Sequence, residues 1–106
     1  MSPLHDACRN GDTERVKQLL DGDGGAHVDE KDVYGDTALM WASRHDHTEV
    51  VKLLLDKGAL LDEKDKYGRT AFGWTIARGN TAVMTLLLDK GALDKGDSSD
   101  SDDYED

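Results

Sequence analysis

Cysteine and proline occur once each in this chain of 106 residues, as Cys8 and Pro3, and aromatic residues make up only 6% of it. A lone cysteine cannot close an internal disulfide, so a disulfide-stapled fold is excluded and a reducing compartment, cytoplasmic and/or nuclear, is expected. No apolar run approaches the roughly 18 residues needed to span a bilayer. Met1-Ser2-Pro3 leads directly into a helix-like segment, so no signal segment is expected. Positive charge is scarce: 13 Lys and Arg face 23 Asp and Glu, for a formal net charge of −10. Phosphate backbones and anionic membrane surfaces are repelled by such a charge, so neither a nucleic acid nor a membrane is expected as partner.

Catalytic and cofactor motifs are missing as well. There is no phosphate-cradling G-x-x-x-x-G-K-[ST] loop. The histidines are His5, His27, His45 and His47, and His45-Asp46-His47 has no cysteine or further histidine at ligand spacing, so it reads as a polar turn. Asp21-Gly22-Asp23-Gly24 lacks the ligand spacing of a calcium loop. Cys8 has no candidate catalytic base nearby in sequence. The chain is therefore expected to be no enzyme and to carry no metal and no cofactor.

What the sequence does contain is a repeat. Asp32 to Ala59 returns 33 residues later, matching Asp32 with Asp65, Tyr34 with Tyr67, Gly35 with Gly68, Thr37 with Thr70, Trp41 with Trp74 and Val50 with Val83. Leu53 to Leu55 fall on Leu86 to Leu88, and Asp56-Lys57-Gly58-Ala59 on Asp89-Lys90-Gly91-Ala92. A third copy lies upstream, with Ser2-Pro3-Leu4-His5, Asn10-Gly11-Asp12 and Val16 to Leu20, and carries about two extra residues at Gly22 to Gly25.

This period, with G-x-T-x-L, then G-x-x-x-V-V-x-L-L-L and G-A, resembles the ankyrin repeat over residues 2–93. Ser2-Pro3-Leu4-His5 is close to that family's T-P-L-H, whereas Thr37-Ala38-Leu39-Met40 and Thr70-Ala71-Phe72-Gly73 have drifted from it. The resemblance implies an all-α solenoid of stacked helix-turn-helix pairs joined by β-hairpin-like fingers. The repeat domain would span 1–93, with repeats at about 2–29, 32–64 and 65–93, followed by a disordered acidic segment at 94–106.

Local signals place the helices. Ser2 and Pro3 suit an N-cap and first helical position, and a helix follows to about Asn10, where Gly11 stops it. Asp12 or Thr13 caps the next, to about Asp21. Thr37 caps an inner helix to about His45, and further helices are predicted at about Thr48–Lys57, Ala71–Arg78 and Thr81–Lys90. Where the later repeats have Trp, Val and Leu, the first has Asp6, Arg15 and Gln18, which predicts a solvent-facing first unit. Cys8 takes a small buried position. Trp41 and Trp74 are predicted to pack in the core against the preceding repeat.

The resemblance also implies a binding scaffold whose fingertips and inner helices form a concave surface. On this chain the finger positions are Val33, Tyr34, Asp36, Lys66, Tyr67 and Arg69, and the inner-helix ends include Arg9, Asn10, Arg44, His45, Ala77 and Arg78. Tyr34 and Tyr67 would stand side by side, and exposed tyrosines flanked by arginine have the composition of an interface hot spot. Another protein is the expected partner. The hydroxylation that the family's finger asparagines undergo is not expected, because Asp29 and Asp62 stand there.

Two further surfaces are flagged. Ile76, Met84, Leu87 and Leu88 occupy positions that meet the next unit in earlier repeats, so they are expected to form an apolar end face for docking or weak self-association of a monomer. In the acidic segment, Ser99 with Asp102 three residues on, beside Ser98 and Ser101, fits an acidophilic kinase. That segment could fold back on the concave face. Alternatively the chain is a chaperone or masking protein for a basic client such as a ribosomal protein or histone, with the segment as polyanion.

Overall fold

A computed structural model of the chain describes residues 2–21 and 27–91, and among these residues it contains six α-helices and no strand. The helices are α1 (Pro3–Asn10), α2 (Thr13–Asp21), α3 (Ala38–Arg44), α4 (Thr48–Asp56), α5 (Ala71–Arg78) and α6 (Thr81–Asp89). Each begins and ends within about a residue of its sequence-predicted limits. The expected flexible link at 22–25 and acidic segment at 94–106, with Ser98, Ser99 and Ser101, lie outside the described residues.

Caps explain the inner-helix starts. The hydroxyls of Ser2, Thr37 and Thr70 accept the backbone N–H groups of His5, Met40 and Gly73, at 3.2, 3.3 and 3.1 Å. His5 adds a second tie. Its Nε2–H donates to the Glu30 carbonyl at 2.9 Å, which leaves Nδ1 to accept from the Ser2 hydroxyl, so this buried ring joins the first helix to the first finger. At α2 the cap is Asp12, whose carboxylate accepts from Arg15 N at 3.1 Å.

Helices pair as α1–α2, α3–α4 and α5–α6, and the pairs stack so that α1 packs on α3 and α3 on α5, while α2 packs on α4 and α4 on α6. The core follows the stack: Leu4, Cys8, Val16, Leu39, Met40, Val50, Val51, Leu54, Val83 and Leu87 are all buried. Removing such side chains from water is worth roughly 1.5–3 kcal/mol each. Arg15 and Gln18, which replace these apolar residues in the first unit, are exposed on α2.

Polar ties run between repeats as regularly as the apolar ones. His47 and Asn80, each just ahead of an outer helix, make no cap hydrogen bond of their own. Instead His47 Nε2–H donates back to the Arg9 carbonyl at 2.8 Å, and Asn80 Nδ2 donates to the carbonyls of Ser43 and Arg44 at 2.7 and 3.0 Å. Asp46, in the turn between α3 and α4, holds the left-handed conformation (φ 59°) that Gly11 and Gly79 supply at the equivalent turns of the other two repeats. On the finger side, Leu60 N donates to Asp29 at 2.8 Å, and Lys31 donates to the Lys64 carbonyl at 2.9 Å and pairs with Glu63 at 3.2 Å. Adjacent fingers are thereby held parallel.

Candidate partner-binding face

Each finger is built by one aspartate. Asp32 Oδ1 accepts the N–H groups of Tyr34 and Asp36, both at 2.9 Å, and Oδ2 accepts the Trp41 indole N–H at 2.8 Å. Thirty-three residues on, Asp65 repeats the arrangement with Tyr67 N and Arg69 N at 2.9 Å and the Trp74 indole at 3.1 Å. The turn is closed by backbone bonds, Gly35 N to Asp32 O and Asp32 N to Asp36 O, again duplicated from Asp65 to Arg69. Gly35 and Gly68 sit at φ of 81° and 80°, a region unfavourable to side chains with a Cβ. Burial by itself would raise the two carboxyls, but the hydrogen bonds they accept outweigh it and hold both below the usual aspartate range.

The tryptophans pack against the core, as the sequence predicts, and are also hydrogen-bonded to the fingers. Both are half-buried, each pinned to its own finger, and a cation lies between them. The Arg44 guanidinium is 4.3 Å from the centre of the Trp41 ring and 3.9 Å from that of Trp74, and pairs with Asp36 at 3.2 Å. Arg69 covers Trp74 at 4.9 Å. In the other direction Trp41 stacks on His45, with centroids 6.0 Å apart and planes within 1°, and His45 lies 6.1 Å from His47. Rings and guanidinium groups thus form an unbroken ladder across the concave side from His47 to Arg69.

Above it stand the fingertips. Val33, Tyr34 and Tyr67 are 88%, 53% and 74% exposed, and Lys66 Nζ sits between the tyrosines, 5.7 Å from one ring centre and 5.9 Å from the other. The two tyrosines, the two tryptophans, Arg44, Lys66, Asp36 and Asp65 line a cleft of about 330 Å³. A larger hollow of about 460 Å³ lies on the outer side of the first finger, beside Ser2, Lys31, Val33 and Tyr34. Arg78 and His45 are exposed at the ends of the inner helices, as the sequence predicts.

Two residues proposed as contacts are placed otherwise. Asp36 is only 5% exposed and is held by Arg44, so it stands in the wall of the cleft and not at a fingertip. Its burial raises its carboxyl above the ordinary range despite the bond and charge of Arg44. Arg44 is likewise sandwiched between rings, with its Nε buried and unpartnered. At the far end of the stack, Leu87 is fully buried, so it belongs to the core; exposed apolar surface there comes from Ile76 and Leu88, with Met84 half-buried. In a 3.6-residue helix the middle leucine of Leu86-Leu87-Leu88 falls on the inner stripe.

The Asp32–Trp41 and Asp65–Trp74 bonds were the features the sequence reading missed. Their signal was the nine-residue spacing of Asp and Trp repeated in both copies. Cys8 is where it was expected, fully buried, and burial pushes its thiol up to about 12.

The family description that matches this chain is "Ankyrin repeats (3 copies)", over residues 4–100. Among curated proteins the chain is similar to a probable E3 ubiquitin-protein ligase, XBOS33, of Oryza sativa subsp. japonica, and to the E3 ubiquitin-protein ligase XBAT33 of Arabidopsis thaliana. Each is 48% identical over 54 residues, 51% of this chain. The matched stretch is 10% of each relative's length.

Proposed function

The chain belongs to the ankyrin-repeat family, and on that footing we propose that it is a non-catalytic adaptor that binds another protein through the cleft between its two fingers. Repeats of this family are protein-interaction modules. The observation that carries the reading is the exposure of Tyr34 and Tyr67 on fingers that Asp32 and Asp65 hold rigid. Aromatic anchors that are already ordered lose little entropy on binding, which favours them as hot spots. Neither relative's ligase activity is carried over, since the similarity covers a tenth of those proteins.

The masking alternative places a basic client on the acidic segment at 94–106, since the cleft itself would present Lys66, Arg69 and Arg78 to it. Affinity capture with the intact chain, the Tyr34→Ala/Tyr67→Ala variant and a Glu49→Ala/Lys52→Ala variant on exposed positions of α4 tests the reading. A partner lost with the tyrosines alone supports it. A partner retained by the tyrosine variant and lost with the α4 variant overturns it.

A further inference from the structure

The carboxylates and the cations of the cleft are not in the same position. Asp32 and Asp65 spend both oxygens on their own fingers and indoles, and Asp36 is buried against Arg44. None of the three is free to meet a ligand. Lys66 and Arg69, by contrast, are exposed at the lip, and among the described residues neither has a carboxylate within ion-pair distance. Each rests on an aromatic surface: Lys66 between Tyr34 and Tyr67, Arg69 on Trp74. Arg78, at the end of the neighbouring inner helix, is a third exposed cation with no ion pair among the described residues. Other cations without an ion pair among the described residues, such as Arg15 and Lys17 on α2, are exposed with no described ring beside them.

We propose that the cleft receives a short acidic, extended segment of the partner protein, whose carboxylates pair with Lys66, Arg69 and Arg78 while its apolar or aromatic side chains lie on Tyr34 and Tyr67. Charge complementarity selects this occupant. In a chain with 23 acidic and 13 basic residues, the lip presents Lys66, Arg69 and Arg78 with no carboxylate in ion-pair distance among the described residues, Asp65 acting on Arg69 only at longer range. A single-stranded RNA offers the same negative charge and stackable bases, but its phosphates are repelled over long range by the net charge of −10. An acidic peptide carries fewer charges and less of that penalty. The inference rests on the cleft being the binding face.

The test uses the full chain and three labelled probes: a 12-residue Gly/Ser peptide carrying about four Asp or Glu and one Tyr, its Lys-for-acid counterpart, and a 12-nucleotide oligouridine with nearly three times the charge. Fluorescence anisotropy at low salt should show binding of the acidic peptide alone, weakening as salt rises from about 50 to about 300 mM. Lys66→Glu/Arg69→Glu should weaken it by at least about tenfold, the scale of reversing interfacial charge pairs, and Arg15→Glu/Lys17→Glu should leave it unchanged. Tightening when the acids at 100–106 are neutralised supports the same chemistry, with the chain's own segment as competitor. The proposal is overturned if the acidic peptide does not bind, if the α2 variant loses as much as the lip variant, or if oligouridine or the Lys peptide binds as well. Captured partners separate the two levels. If Lys66→Glu/Arg69→Glu keeps the partner that Tyr34→Ala/Tyr67→Ala loses, the acidic chemistry fails while the adaptor reading stands.

Discussion

The Trp41 indole donates to Asp32 Oδ2 at 2.8 Å, tying an inner helix to the finger in front of it, and Trp74 and Asp65 make the same bond one repeat later. Through these two bonds the ladder of rings and the exposed tyrosines become one rigid unit. Replacing Asp32 with Ala strips the acceptor from three donors at once, and the expected cost is about 2–4 kcal/mol. Trp41→Phe leaves Oδ2 without that donor and should cost about 1–2 kcal/mol. Urea unfolding of both single variants and the double variant checks this. Strict additivity would mean the bond carries no energy.

Gly73 lies inside α5 with room for a methyl group, since an added Cβ would make only ordinary contacts, the nearest with the Thr70 hydroxyl oxygen at 3.7 Å. Gly73→Ala should therefore stabilise the chain by about 0.5–1 kcal/mol. Gly11 is the opposite case, with φ 73° and the His47 ring only 2.7 Å from an added Cβ. Gly11→Ala should destabilise and break the His47 bond to the Arg9 carbonyl. Thermal unfolding of the pair should move the melting points in opposite directions, and a fall with Gly73→Ala would contradict the packing described for α5.

Leu87→Ala should cost about 2–5 kcal/mol, the range for a buried leucine, whereas Ile76→Ser, at a position 58% exposed, should stay within about 0.5 kcal/mol. Equal losses would place Leu87 on the end face after all.

How much was legible in the sequence follows from which contacts recur at fixed offsets. The 33-residue period, the Thr37 and Thr70 caps and the glycine stops are local, so the helices could be placed from them. The Asp–Trp pairs were also periodic, but a tryptophan at a leucine position invited a core assignment, and only the finger's return path brings Asp32 to its indole. The sequence places Arg44 at an inner-helix end but does not show its burial, because its two rings come from different repeats. Asp36 was taken for a fingertip for the same reason: its partner lies on another element. The Arg44–Trp74 contact is set by stacking of one repeat on the next, and the Asp36–Arg44 pair has no counterpart in the next repeat to mark it, since Arg69 and Ala77 stand there.

pH should act through two sets of groups. Burial, then the positive charges of His47, Arg44, Arg78 and Arg9, holds His45 below the ordinary histidine value of 6.5. The unfolded chain thus binds its proton more readily, so stability falls as pH drops below about 6.5, and His45→Asn should flatten that limb. Asp32 and Asp65, held low, add stability above their unfolded value of 3.8 that is lost as pH falls below it. Asp36, held high, opposes them, its contribution fading as pH rises through its raised value. Asp36→Asn should therefore steepen the acid loss. Melting curves between about pH 3 and 8 read both effects, and a His45→Asn limb identical to the parent's would contradict the first.

Because burial drives the Cys8 thiol up to about 12, a thiol reagent should leave it unmodified in the folded chain at neutral pH and react once urea unfolds it. Rapid native labelling would contradict a closed stack around α1.

The most direct test of the binding face is a titration of the nitrogen-15-labelled chain with its captured partner, following the Trp41 and Trp74 indole signals and the Tyr34 and Tyr67 amides. All four should shift together, while the amides of Glu49 and Lys52 on α4 stay in place. Shifts confined to α4, with both indoles unmoved, would contradict the account.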